Sequence, residues 1–218
     1  MNAGTERLRA PGPAGAIDVA LDRPVVPARA IAVIAHPHPL YGGTRDNKVV
    51  QTLARALLAR GCVCWRPNFR GVGASDGVHD EGRGETDDLL ALIDFARSHA
   101  SAPAISDTAS AGPAIVLAGF SFGGLVQTRV AARLDAAGTP AARLVLVAPG
   151  VTRFEAAPVP ERTLVVHGEE DDVVPLKAIF DWARPQSLPV VVVPGTGHFF
   201  HGRLPLLRRI VEDALAAG

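Results

Sequence analysis

Charge of one sign is what this sequence most plainly lacks: Lys+Arg and Asp+Glu are equal at 22 each in 218 residues. A neutral chain has no electrostatic footprint for nucleic-acid phosphates, and no like-charge block marks an acidic or basic tail. Cysteine is nearly absent, with Cys62 and Cys64 alone, too few for a disulfide framework. Spaced by Val63, both would point to one face of a strand as small buried hydrophobes, and this usage fits a reducing, cytoplasmic setting. Long hydrophobic runs are missing too. No stretch approaches the about 18 apolar residues of a membrane span. Residues 1–15 mix Glu6, Arg7 and Arg9 with turn formers where a signal peptide needs an apolar centre. Glycine (22) and proline (18) together stay below the share that signals low-complexity disorder.

What is present is an ordinary globular composition, 48% hydrophobic and 20% charged, at a length that suits one well-buried domain and is short for two. The reading is a single domain over 1–218, with 1–15 partly flexible. Residues 5–10 and 16–22 flank Pro11-Gly12-Pro13-Ala14-Gly15 and read as an antiparallel hairpin with a loose turn. Strands are then expected at 30–35, 62–66, 114–118, 143–148, 162–167 and 190–193. Helices are expected at 47–60, 85–98, 123–136, 176–184 and about 203–217, the first capped by Asp46 or Asn47 and stopped by Gly61. Repeated strand–helix alternation predicts an α/β fold, a mostly parallel eight-stranded sheet with helices on both faces. Chemistry in such sheets sits beyond the carboxyl ends of the strands.

Four segments occupy those ends. Gly119-Phe120-Ser121-Phe122-Gly123-Gly124 fits G-x-S-x-G between a predicted strand and a predicted helix, the context that motif requires. A serine on so sharp a turn projects its hydroxyl into the cleft, Gly119 and Gly123 leave room, and the Phe122 N–H at the helix start is aimed where an oxyanion would form. His167-Gly168-Glu169-Glu170-Asp171-Asp172-Val173-Val174-Pro175 runs from a strand into four consecutive acids, one of which can orient a histidine. Gly195-Thr196-Gly197-His198-Phe199-Phe200-His201 offers His198 as a base, histidine being the side chain most often used for proton transfer, with Phe199 and Phe200 beneath it or walling a pocket. Serine, acid and histidine in this order suit attack on an acyl carbon with His198 accepting the Ser121 proton.

The fourth segment, His36-Pro37-His38-Pro39-Leu40-Tyr41-Gly42-Gly43, follows the third strand and is the source of the second oxyanion N–H. Pro37 and Pro39 have no N–H, which leaves His38 and Leu40, and the offset from the strand favours His38. Leu40, Tyr41, Arg70, Asp172 and Phe199 are further candidates for pocket or support, and Glu85, Asp87 or Asp88 can pair with Arg70.

Over nearly its whole length the chain resembles the small lidless bacterial α/β-hydrolases near the dienelactone-hydrolase and prolyl-oligopeptidase-like branches. The likeness rests on H-P-H-P-L-Y-G-G, on N-F-R-G-V-G-A-S at 68–75, on G-F-S-F-G-G, on H-G-E-E-D-D-V-V-P and on G-T-G-H-F-F-H. The resemblance implies the α/β-hydrolase fold, Ser121 as nucleophile, His198 as base and, from H-G-x-x-D-x-x-V-P, Asp171 as the acid with Asp172 the near alternative. It also implies that the arginine matching Arg70 is usually structural. Dienelactone hydrolases carry cysteine where this chain has Ser121, so their ring-opening specificity is not carried over.

Rival chemistries fit worse. The histidines His36, His38, His198 and His201 match no catalytic zinc spacing, so no metal is expected. Gly71-Val72-Gly73 has its third glycine at Gly77, one place late for a dinucleotide fingerprint, and no G-K-[ST] occurs. No cofactor is expected. A non-catalytic binding module of this fold would normally have lost a member of the triad, whereas acyl transfer and peptide hydrolysis use the same triad. Residues 149–161 are too few for a helical cap, so an open cleft is expected. The sequence therefore reads as a serine hydrolase of accessible short-to-medium acyl esters or thioesters.

Overall fold

Six successive residues, Ala30–Ala35, are all buried, which a strand achieves only in the middle of a sheet covered on both faces. This strand, β3, belongs to an eight-stranded sheet in a computed structural model that describes residues 4–99 and 112–216. The other strands are β1 (Glu6–Gly12), β2 (Gly15–Asp22), β4 (Cys62–Pro67), β5 (Ala114–Phe120), β6 (Arg143–Val147), β7 (Leu164–Gly168) and β8 (Val190–Val193). Their order across the sheet is β1-β2-β4-β3-β5-β6-β7-β8. The hairpin β1–β2 and the β2–β4 pair are antiparallel, and every other pair is parallel.

Period-two alternation divides the core. Ile31, Val33 and Ala35 face one way, with Trp65, Leu117 and Leu146, and pack under α2 (Arg83–Ser98), α3 (Phe122–Ala136) and α4 (Leu176–Ala183) through Leu92, Leu125 and Ile179. Ala32 and Ile34 face the other way, beneath α1 (Lys48–Ala59) and α5 (Leu204–Ala216), meeting Leu53, Leu57, Leu207 and Val211. Cys62 and Cys64 lie together in this second layer, unpaired and buried. Burial pushes the Cys62 thiol up to about 11, which keeps it protonated and unreactive at neutral pH.

Helix ends follow local chemistry. Asn47 rather than Asp46 caps α1, its Oδ1 accepting from Val49 N–H at 2.8 Å. The hairpin turn is tighter than its prolines and glycines suggest, because pairing continues to Gly12 opposite Gly15. Pro11 is tolerated there since β1 is an edge strand and needs no outward N–H. Residues 1–3, part of the stretch expected to be flexible, and residue 217 of the expected last helix lie outside the described residues. Between β6 and β7 the chain forms no helix, so no cap covers the sheet edge. Parallel register aligns the carboxyl ends of β3, β5, β6, β7 and β8, so the four chemistry-bearing loops leave one edge.

Candidate active site

Ser121 occupies the single residue between β5 and α3 with φ 55° and ψ −121°, a conformation that costs a non-glycine residue about 1–3 kcal/mol. Its neighbours over-determine it. Ser121 N–H donates to the Val147 carbonyl at 3.0 Å, and the Ser121 carbonyl accepts from Gly150 N–H at 2.9 Å and Leu125 N–H at 3.1 Å. The flanking glycines are sterically required: a Cβ on Gly119 would collide with the Gly123 carbonyl, and one on Gly123 with the Ala35 carbonyl.

The acid and histidine loops are stitched together at the ends of β7 and β8. Glu169 N–H donates to the Val193 carbonyl and Glu170 N–H to the Thr196 carbonyl, both at 3.0 Å. A Cβ on Gly168 would strike the Thr196 carbonyl, so glycine lets the loops approach. His198 then bridges the other two groups: Nδ1 lies 2.7 Å from Asp171 Oδ2 and Nε2 lies 3.0 Å from Ser121 Oγ. An ionised carboxylate only accepts, so the ring proton is on Nδ1 and Nε2 is free to accept from the serine hydroxyl.

Asp171 is held on three sides. Its Oδ1 accepts from Val173 N–H at 3.0 Å and Val174 N–H at 2.7 Å. Burial pushes the Asp171 carboxyl up, but the hydrogen bonds from His198 and Val174 N–H and the fields of His198 and His167 carry it below the ordinary 3.8. His167, fully buried, stands 3.5 Å from Asp171 Oδ2 and donates from Nε2 to the Val174 carbonyl at 2.8 Å. Burial lowers its pKa, and it braces the acid loop from below. Only its place four residues before Asp171 hinted at this in the sequence.

Two backbone N–H groups near Ser121, those of His38 and Phe122, have no hydrogen-bond partner among the described residues. Leu40 N–H, the other donor the sequence left open, is taken by His38 Nδ1 at 3.3 Å. The loop is closed by Gly43 N–H donating to the His38 carbonyl at 3.1 Å, at a position where a Cβ would collide with the Pro37 carbonyl. The His38 ring is walled by Tyr41, His79 and Phe122, each with centroids 4.8 Å away. His79 in turn sits 2.7 Å from the fully buried Glu85, which also accepts from Asp80 and Gly82 N–H and so anchors this wall to the start of α2.

A cleft of about 490 Å³ opens over these groups. Tyr41 and Phe199 line it, with Asn47, Arg153, Phe154 and Val173. Phe199 stands edge-on to His198 at 5.1 Å, whereas Phe200 is buried in the core. Three candidates lie apart from the cleft. Leu40 is 71% exposed on a short 3-10 turn, Pro39–Tyr41, that directs its side chain away. Asp172 points to solvent, since its neighbour Asp171 takes the inward position. Arg70 is committed to Asp88, with two contacts of 2.8 Å, and to the Gly84 carbonyl at 2.7 Å. His36 is committed as well: Nδ1 donates to the Pro37 carbonyl at 2.6 Å and Nε2 accepts from Phe69 N–H at 2.9 Å. Arg153 and Phe154 went unnoticed in the sequence, although they follow a strand end as the other site residues do.

The same fold is met in known proteins. An α/β serine hydrolase without a lid from Xanthomonas campestris is 34% identical and superimposes with a TM-score of 0.86, covering 100% of this chain and 96% of its own. An alpha-beta serine hydrolase homologue from Coxiella burnetii is 38% identical with a TM-score of 0.81, over 95% and 96% of the two chains. An uncharacterized protein of Rickettsia prowazekii (strain Madrid E) is 28% identical over 94% of this chain and 86% of its own. The model of the alpha/beta hydrolase family matches residues 32–159, a span from β3 through the serine turn into the capless loop after β6 and more than half of the sequence, so the chain belongs to that family.

Proposed function

We propose that this hydrolase cleaves carboxylic esters or thioesters of short-to-medium acyl chains through an acyl-enzyme on Ser121. The observation that carries the reading is the continuous hydrogen-bonded path from Asp171 Oδ2 through the His198 ring to Ser121 Oγ, at 2.7 and 3.0 Å.

In the first half-reaction Ser121 Oγ attacks the acyl carbon and its proton passes to His198 Nε2. Asp171 holds the ring in the Nδ1–H tautomer and stabilises the imidazolium that forms. The carbonyl oxygen, now anionic, is received by the unpartnered N–H groups of Phe122 and His38; each such donor contributes about 2.7–4 kcal/mol in comparable sites. Collapse breaks the bond to the alcohol or thiol, which leaves with the proton from Nε2. Water then attacks the acyl-serine with His198 again taking the proton, and the acid departs as Ser121 Oγ regains its hydrogen.

The open cleft of about 490 Å³ suits an accessible small acyl group better than a long lipid chain. Buried, unpaired Cys62 and Cys64 support a cytoplasmic place of action. A fluorophosphonate probe tests the reading. A mass adduct on Ser121 that disappears in Ser121→Ala, followed by turnover of p-nitrophenyl esters that declines with chain length, is expected. Folded protein that takes up no probe would overturn it.

A further inference from the structure

Of the described side chains that line the cleft, Arg153 alone carries a fixed charge. It rises from the loop after β6, the stretch left bare by the absent cap. Its guanidinium is positioned: Nη1 donates to Tyr41 Oη at 2.6 Å, and its central carbon lies 5.3 Å from the centre of the Tyr41 ring. Tyr41 itself packs, tilted by 57°, against the ring of His38, the residue assigned above as an oxyanion donor. One side chain thus ties the cation to the reaction centre at a fixed spacing. No carboxylate pairs with Arg153 among the described residues, and its remaining N–H groups face water.

The charge continues outward. Arg153 and Phe154 also line an adjoining groove of about 580 Å³ with Arg83, Arg129 and Arg133. There Arg83 pairs with Asp80 and Glu81, and Arg133 with Asp87. Arg129 is different. It donates to the backbone carbonyls of Glu81 and Glu155 at 3.0–3.3 Å and forms no ion pair among the described residues, so Arg129 and Arg153 are set apart by lacking a paired carboxylate, not by a surplus of positive charge in the groove. A neutral ester uses none of this. A planar fork held at a cleft mouth is matched by a carboxylate or a phosphate, which it can grip with two parallel hydrogen bonds.

We infer that Arg153 is a specificity residue for substrates bearing a carboxylate or phosphate beside the scissile acyl bond, with Arg129 extending that subsite along the groove. The inference rests on the ester or thioester hydrolysis proposed above.

The test compares kcat/KM of the wild type with Arg153→Gln for each of four esters, so that intrinsic ester reactivity cancels in the ratio. Two are p-nitrophenyl butyrate, which is neutral, and p-nitrophenyl hemiglutarate, with its carboxylate on the acyl side. The others, 4-butyryloxybenzoate and 4-butyryloxyphenyl phosphate, carry a carboxylate or a phosphate on the leaving side. The expected ratio is near unity for the neutral ester and about tenfold for at least one anionic ester, equivalent to about 1.4 kcal/mol. Which anionic ester responds identifies the side and the anion. The advantage should shrink as salt shortens the screening length from about 30 Å at 0.01 M to about 8 Å at 0.15 M. Arg153→Glu should invert the preference toward an acyl chain ending in trimethylammonium, an effect that mere structural support by Arg153 would not produce. Equal ratios for neutral and anionic esters would overturn the inference while leaving ester hydrolysis standing. Absence of turnover of any ester, the neutral one included, would overturn hydrolysis and the inference together.

Discussion

Replacing Asp171 by asparagine isolates the tautomer argument from packing. The two side chains have nearly the same shape, and an asparagine oxygen can keep the Val173 and Val174 N–H bonds now made by Asp171 Oδ1 at 3.0 and 2.7 Å. Its amide nitrogen must then take the place of Oδ2, 2.7 Å from His198 Nδ1. Two donors cannot share that contact, so the ring proton moves to Nε2, where it faces Ser121 Oγ and blocks acceptance of the serine proton. A comparable substitution in an unrelated triad lowers kcat about 10⁴-fold, which corresponds to about 5 kcal/mol of barrier. Stability should change far less, by about 1 kcal/mol for weakened hydrogen bonds to a lost charge. The assay is p-nitrophenyl ester turnover at neutral pH beside thermal unfolding, with the exposed Asp172→Asn as the companion variant. A well-folded Asp171→Asn within about tenfold of wild type, or an Asp172→Asn that falls as far, would refute the reasoning.

Other expectations follow from the same contacts. Arg70→Ala should cost about 3 kcal/mol of stability, because it leaves the buried Asp88 without its partner. It should also leave kcat/KM unchanged; a selective rise in KM with normal urea stability would instead make Arg70 a substrate contact. His36→Gln tests a buried titration: burial, above all, pulls the His36 pKa from 6.5 down to about 4. Between those values the unfolded chain binds the extra proton. His36 therefore destabilises the fold progressively as pH falls from 6.5 toward 4, by about 3 kcal/mol in all, and contributes no slope above that window. Urea midpoints measured across it should depend less steeply on pH in the variant by about one proton, and parallel slopes would refute the assignment.

Much of this molecule was legible in the linear chain, for reasons that are local. Runs such as Ala30–Ala35 have the length of buried strands, and the structure makes this one a strand. Asp46 and Asn47 before Lys48 announce a helix start, though only the structure picks Asn47 as the cap, and glycines on both sides of Ser121 announce a turn too crowded for a side chain. Serine, acid and histidine also stand in a readable order, each just past a strand. All of these depend on steric and hydrogen-bonding rules that act within a few residues, and those rules are written in residue type and spacing.

Tertiary structure decided what spacing leaves open. Asp171 and Asp172 are chemically alike, and only the path of the loop over β7 turns one onto Val173, Val174 and His198 and the other to solvent. Of two N–H groups that proline leaves to the loop after β3, the folded loop ties down the one of Leu40 and leaves that of His38. Ser121 and His198 are 77 residues apart in the chain and 3.0 Å apart in the fold because β5 and β8 run parallel in one sheet and end at the same edge. Arg153 meets Tyr41 across 112 residues for the same reason. Such meetings are set by strand order and by the packing of helices on two faces, which no local pattern records, so sequence named the candidate groups and the sheet brought them together.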